Sequence, residues 1–370
     1  MVDKGMKSIT QFETVFIQKS IPKSHIEPIL ARIPNIDKKN IIYIENSEEL
    51  IKNESKLKSH SQISEKRPLF FKTSKGQVFK KCPGTMKLIC CNYYVLNQYI
   101  GCPVGCTYCI LQDYLNNNFI SIHIDIDQML HIIHENTSAR NNFQFRIGSG
   151  ELGDSLVYDK ITCSSAKIIS HFNTAKNAIF EFKTKTDMID NLLSQNPLNI
   201  IIGFSINTST IIQREESYSA TLQQRLAAAK KCQDHGYFIA LHFDPLIHYG
   251  DCFKEYKDLV PYIFSYINPR QLAWISIGSF RYPKSLKDRI WENYPQSNIL
   301  YNEFFPGQDG KYRYFKQIRL ELYQTIVSAL KKIDPNLNIY FCMETKEIWQ
   351  KILGFLPSEK NFLQFLFKRH

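Results

Sequence analysis

The segment Gly101-Cys102-Pro103-Val104-Gly105-Cys106-Thr107-Tyr108-Cys109 spaces three cysteines as C-x3-C-x2-C. Three thiolates on one compact loop cannot close a four-cysteine cage, so a cubane 4Fe-4S cluster bound there keeps one iron open to a further ligand. A structural zinc ion wants a fourth ligand of defined spacing. Cys90 and Cys91 are the nearest on offer, but they stand in an apolar stretch, 88–96, that reads as a strand. Free cysteine in such a place is expected to be core packing. Zinc and unligated thiols are the alternatives to a cluster. Ten cysteines occur in all, and six of them fall between 82 and 109. A 370-residue chain can bury a core without staples, and the start, MVDKGMKSITQFETVF, lacks a secretory apolar core. A disulfide framework is therefore not expected, and a cytoplasmic location is.

Other polar groups recur at the ends of candidate strands. His242, Asp244 and His248 have the types of a metal set, but a polar cavity lining is the preferred expectation. Arg281 suits a phosphate or a carboxylate. The run Lys311-Tyr312-Arg313-Tyr314-Phe315-Lys316 interleaves cations with aromatics, which suits stacking on bases along a nucleic-acid backbone, or equally the start of a helix with solvated charges.

The elements that must position these groups read as an α/β chain. Strands are expected at 88–96, 143–147, 178–182, 200–206, 238–243, 274–277 and 338–341. Helices are expected at 219–236, where Leu222, Leu226, Ala229 and Cys232 share a face and Gly236 ends it, and at 314–332. Short apolar strands alternating with helices imply βαβ units on a parallel sheet, here a partial (β/α)6 TIM barrel with its chemistry at the C-terminal strand ends. Residues 1–80 read as an N-terminal accessory region, with a strand and a short helix over 41–51 and a polar linker over 52–67. The barrel with its substrate-binding C-terminal part occupies 81–350, and 351–370 form a tail. With 44% hydrophobic and 22% charged residues the chain has globular composition. No apolar run approaches the roughly 18–20 residues of a membrane span. The net charge of +11 suits a polyanionic partner.

The cysteine motif after the first barrel strand resembles the radical S-adenosylmethionine (SAM) superfamily, and the chain resembles its spore photoproduct lyase family in particular. The matching segments are Cys82-Pro-Gly-Thr85, Cys102 to Gln112 with Tyr114-Leu-Asn116, Gly148-Ser-Gly-Glu151 with Asp154, Thr184-Lys185, and Phe204-Ser-Ile-Asn207. They continue with Arg225 to Ala229, His242-Phe-Asp-Pro245, Gly278-Ser-Phe-Arg281, Gly310 to Phe315 and Cys342-Met-Glu344. Together they cover roughly residues 70–350.

The resemblance implies a 4Fe-4S cluster on Cys102, Cys106 and Cys109, SAM chelating its open iron, and reductive cleavage to a 5′-deoxyadenosyl radical. Gly148, Ser149, Gly150 and Glu151 would hold the SAM amino group: glycines allow close backbone approach, and a carboxylate accepts ammonium hydrogen bonds. Lys185 would pair with the SAM carboxylate, and Ser205 and Asn207 would bond its ribose or methionine part. The implied activity is direct reversal of a thymine dimer in DNA, with a reductant such as flavodoxin or ferredoxin. Radical modification of RNA, a peptide or a metabolite is the second reading, and a non-catalytic Fe–S or zinc nucleic-acid-binding protein the third. One departure matters. Where the family carries the cysteine that returns a hydrogen atom, this chain has Glu151, whose O–H bond is too strong for the task. Tyr108 is kept, but a tyrosine expected just after the last cluster cysteine is Ile110. Candidate donors are therefore Cys342, Tyr108 and, less well placed, Cys163.

Overall fold

The computed structural model of the chain describes residues 12, 14–54, 67–75, 78–84 and 88–357. Most of the expected linker, Thr85 of the first matching motif, and residues 358–370 of the expected tail lie outside them. The strands are β1 (Val15–Gln18), β2 (Ile41–Ile44), β3 (Leu69–Lys72), β4 (Phe79–Lys81), β5 (Tyr93–Leu96), β6 (Tyr99–Ile100), β7 (Ile120–His123) and β8 (Phe145–Gly148). They continue as β9 (Ala178–Thr184), β10 (Ile200–Ser205), β11 (Phe238–Leu246), β12 (Leu272–Ser279), β13 (Arg281–Tyr282), β14 (Phe304–Pro306), β15 (Tyr312–Tyr314) and β16 (Ile339–Phe341).

The main sheet runs β16-β12-β11-β10-β9-β8-β5-β4. Every pairing in it is parallel except that of β4 with β5. It is a curled half-barrel whose seven parallel strands correspond to the seven expected ones, one more than a (β/α)6 count. Strands covered on both faces become continuous apolar runs, and β12 is buried along its whole length. The helix Leu222–Asp234 is started by a capping box between Thr221 and Gln224, and Gly236, at φ +101°, follows its end. The helix Lys316–Ile333 buries Leu322, Ile326 and Leu330.

Two features differ from expectation. The first barrel strand begins only at Tyr93, because Asn92 sits at φ +54° and breaks the extended run. Cys90 and Cys91 therefore lie in irregular chain ahead of the strand and are partly exposed instead of packed in it. The N-terminal region also shares its sheet with the barrel segment. Its order is β2-β1-β3-β7-β6, so β6 and β7, from beyond residue 81, complete it. A division at residue 80 would cut through that sheet.

Candidate active site

The cysteine loop follows β6, the edge strand of the N-terminal sheet, and is pinned at several points. Gly101 N–H donates to the Leu152 carbonyl (2.8 Å), Thr107 N–H to the Glu215 carbonyl (2.9 Å) and Tyr218 N–H to the Val104 carbonyl (3.0 Å). Gln112 Nε2 closes it from below by donating to the Thr107 carbonyl (2.8 Å). Gly101, at φ +102°, makes a turn at which a Cβ would lie 3.2 Å from Ile120 Cγ1.

Cys102, Cys106 and Cys109 all line one cavity of about 270 Å³. Around it stand Gly150, Glu151 and Asp154 after β8, Lys183 and Lys185 at the end of β9, Ser205 on β10, and His242 and Asp244 on β11. The polar groups thus come from four successive strand ends, as a (β/α) architecture requires. Burial pushes the Cys102 thiol up to about 12, and Cys106 and Cys109 upward as well. Lys185 opposes the shift at Cys106, and Arg67 opposes it at Cys109. Among the described residues no three His, Cys, Asp or Glu groups gather closely enough to hold a single metal ion. A cubane, in which each thiolate takes a different iron, needs its ligands further apart, and the donor set of three thiols facing one cavity fits it.

Glu151 accepts a hydrogen bond from Asn97 Nδ2 (2.9 Å) and stands 3.5 Å from Lys80 Nζ. Gly150, at φ +98°, brings its backbone so near β9 that a Cβ would lie 2.9 Å from Lys183 Cβ. A Cβ on Gly148 would collide with the Tyr93 hydroxyl and the Glu181 carbonyl. Ser149 faces inward instead, donating to Ser155 Oγ (2.7 Å). Asp154 organises the turn: it accepts from the backbone N–H of Leu156 (2.9 Å), Val157 (3.1 Å) and Lys185 (2.7 Å) and from Thr184 Oγ1 (2.9 Å).

Lys185 Nζ lies 3.2 Å from Tyr108 Oη and 3.3 Å from Glu216 Oε1. Glu216 also accepts hydrogen bonds from Tyr108 and Arg225. Burial alone would raise this carboxyl, but Arg225 and then Lys185 hold it at about 2. A second charged centre lies deeper. Glu181 accepts from Arg146 Nη2 (2.9 Å), Trp274 Nε1 (3.1 Å) and His242 Nε2 (2.6 Å), and Arg146 and Lys183 hold it ionised against its burial.

Several expected residues fall elsewhere. Asn207 is buried, and its amide is used structurally: Nδ2 donates to the Pro245 carbonyl (2.9 Å), while Oδ1 accepts from Thr208 N–H (3.0 Å) and Tyr256 Oη (2.9 Å). It is not among the residues lining the cavity. His242 and Asp244 do line it, whereas His248 turns to Asn302 Oδ1 (2.6 Å), so the three form no ligand set. Arg281 binds Asp244 (3.0 Å) and lies 3.7 Å from Cys342 Sγ. Cys342 therefore stands one ion pair behind the cavity lining, and burial pushes its thiol up to about 12. Cys163 is held at φ +54° and reaches Asn191. The stretch Lys311–Lys316 is part hairpin and part helix start, and Arg313 is locked to Asp309 (2.6 Å).

A lysine that lines the cavity was missed. Lys183 lies two residues before Lys185 and therefore on the same face of β9, a period-two signal open to sequence reading. Its Nζ sits 4.0 Å from the Tyr93 ring centroid. Cys82, Cys91 and Cys342 all lie within electrostatic range of Lys183. The Cys91 thiol donates to Cys90 and pulls the Cys90 pKa down to about 7.

Comparison with known proteins agrees with this geometry. The family described as spore photoproduct lyase matches residues 87–342, more than half of the chain. A spore photoproduct lyase from Clostridium acetobutylicum is 25% identical over 256 residues, covering 67% of this chain and 74% of that one. One from Bacillus subtilis is 23% identical over 258 residues, covering 67% and 75%. The solved structure of a spore photoproduct lyase mutant with bound AdoMet and dinucleoside spore photoproduct superimposes with a TM-score of 0.74 at 19% identity, covering 90% of this chain and 99% of that one. Seven parallel strands, three thiols on the loop before their second member, and a family match spanning both lead to one conclusion: this chain belongs to the spore photoproduct lyase family of radical SAM enzymes.

Proposed function

We propose that the chain repairs a thymine dimer in DNA by radical SAM chemistry, returning the hydrogen atom from a thiol other than the one at the family's usual place. The observation that carries the reading is the single cavity onto which Cys102, Cys106, Cys109, Glu151, Lys185 and Ser205 all open. The three cysteines would hold a 4Fe-4S cluster, which when bound supplies the electron that cleaves SAM to methionine and a 5′-deoxyadenosyl radical. Glu151 would accept from the SAM ammonium group. Lys185, already poised between Tyr108 and Glu216, would meet the SAM carboxylate. Ser205 would bond the ribose or methionine part; the engaged amide of Asn207 fits a role in holding the end of β10.

Product formation leaves a carbon radical that needs one hydrogen atom, and a thiol S–H bond is weak enough to give it. Cys342, behind Asp244 and Arg281, and Cys91, beside Lys183, are the thiols that suit this step; Tyr108 is the alternative O–H donor on the cavity wall. The basic balance of the chain supports a DNA partner, and an electron carrier of the flavodoxin or ferredoxin class would supply the reductant. The test is anaerobic reconstitution followed by assay of 5′-deoxyadenosine and of thymine recovery, with and without dinucleoside spore photoproduct. Release of thymine pairs supports the reading, and SAM cleavage that ignores the dimer overturns it. Glu151 in the donor position favours a second reading, radical modification of another substrate, which the same assay separates.

A further inference from the structure

A second cavity, of about 330 Å³, opens where the N-terminal sheet meets the barrel. Asn97 and Lys80 line it, and both reach Glu151, which lines the thiol-bearing cavity. The two cavities are therefore neighbours across one carboxylate. The charge of the second is one-sided: Lys72, Lys75 and Lys80 face it, and among the described residues its lining includes no carboxylate. Lys80 is engaged with Glu151, but among the described residues Lys72 and Lys75 have no ion-pair partner. Lys72 is half-buried at the end of β3, with the Phe70 ring 5.9 Å from its ammonium. Burial and the charge of Lys75 both lower its pKa, as expected of a cation awaiting an anion.

Asn97 supplies the second observation. It is nine-tenths buried, and its Nδ2 is fixed on Glu151 Oε2, which leaves Oδ1 as the acceptor. That oxygen has no donor. Buried polar atoms are almost always paired, so a ligand that brings an O–H or N–H completes the site. His123, whose Nδ1 donates to the backbone carbonyl of Asn97 (3.0 Å), adds a further polar wall.

A group that satisfies both lysines and the orphaned acceptor carries an anion and a hydrogen-bond donor in one molecule. We propose that this cavity is a phosphate-ester subsite, Lys72 and Lys75 taking the phosphate and Asn97 Oδ1 accepting from a hydroxyl or N–H of the same nucleotide unit. Its source is either a free nucleotide or one unit of a nucleic-acid strand. The assignment rests on this cavity alone and is independent of the radical reading.

The test is calorimetric titration of the reconstituted full chain with inorganic phosphate, thymidine 5′-phosphate and single-stranded oligothymidylate. Parent and Lys72→Gln/Lys75→Gln proteins are compared, with the thermal unfolding midpoint as the control for an intact fold. The double variant should bind phosphate ligands at least about tenfold more weakly with its unfolding midpoint unchanged. Thymidine 5′-phosphate binding more tightly than the strand identifies a free nucleotide. Tighter strand binding, whose log–log salt slope becomes shallower by about 0.7 per lysine removed, identifies a strand unit. Lys75→Glu, on an exposed side chain, repeats the comparison without disturbing the core. No binding of any of the three, or equal binding by parent and both variants, overturns the proposal. Because binding alone is read, an inactive radical centre leaves the outcome interpretable.

Discussion

Cys102, Cys106 and Cys109 are the most demanding residues in the chain, since burial disfavours the thiolate that iron requires. Replacing any one with Ala should abolish the cluster's absorption and SAM cleavage together, whereas Cys232→Ala, at a core thiol far from the loop, should leave both intact. The donor is tested in the same way. Cys342→Ala and Cys91→Ala are assayed for product and for label returned from SAM deuterated at its 5′ carbon. The variant that lowers yield and accumulates radical by-products identifies the thiol, and unchanged yield in both leaves Tyr108. Glu216 gives a pH signature. Its carboxyl is held at about 2 against an ordinary 4.5, so its contribution is complete above about pH 4.5 and is lost as the pH falls toward 2. Glu216→Gln leaves Arg225 buried without a counter-charge and should cost about 3–5 kcal/mol in urea unfolding at neutral pH. It should also flatten the acid limb of the parent's stability curve. The cysteine motif was legible because spacing alone carries the chemistry. The role of Asn207 was not, because its partners Pro245 and Tyr256 lie 38 and 49 positions away.

At the scale of elements, the site depends on how closely the turn after β8 lies against β9. Gly148→Ala should destabilise the chain by about 1–3 kcal/mol, because its Cβ meets the Tyr93 hydroxyl and the backbone of β9, and neither is a flexible tip. Thermal unfolding of the variant measures the cost, and an unshifted midpoint would show that the turn has slack. The barrel strands were readable because both faces of a parallel sheet are covered, which leaves apolar runs bounded by turns. The start of β5 was misjudged because Ile89, Cys90 and Cys91 look like strand residues, while the left-handed Asn92 that ends any such strand carries no hydropathy signal. The strand and helix over 41–51 were readable as β2 and the helix Ser47–Glu54, but the pairing of the N-terminal sheet was not. Its pairings join Val15 to Leu69 and Leu69 to Ile120, and no local pattern reports partners so far apart.

For the molecule as a whole, the charge of +11 predicts that DNA affinity weakens steeply with salt, by about 0.7 in log–log slope for each single-strand phosphate neutralised. Filter binding from low to physiological salt checks this, and salt-insensitive binding would count against a nucleic-acid substrate. The shared N-terminal sheet has a consequence for how the chain is made. β3 emerges from the ribosome well before β7, its neighbour, so the first three strands must wait with one edge unpaired until residues 120–123 are synthesised. The chain crosses between the two sheets more than once, so the N-terminal part cannot swing as a lid on a single hinge. Removing residues 1–80 would not release a tidy barrel. It would strip β7 of a parallel partner, uncover the apolar side chains of Ile120 and Ile122, and leave an edge open to association with other copies.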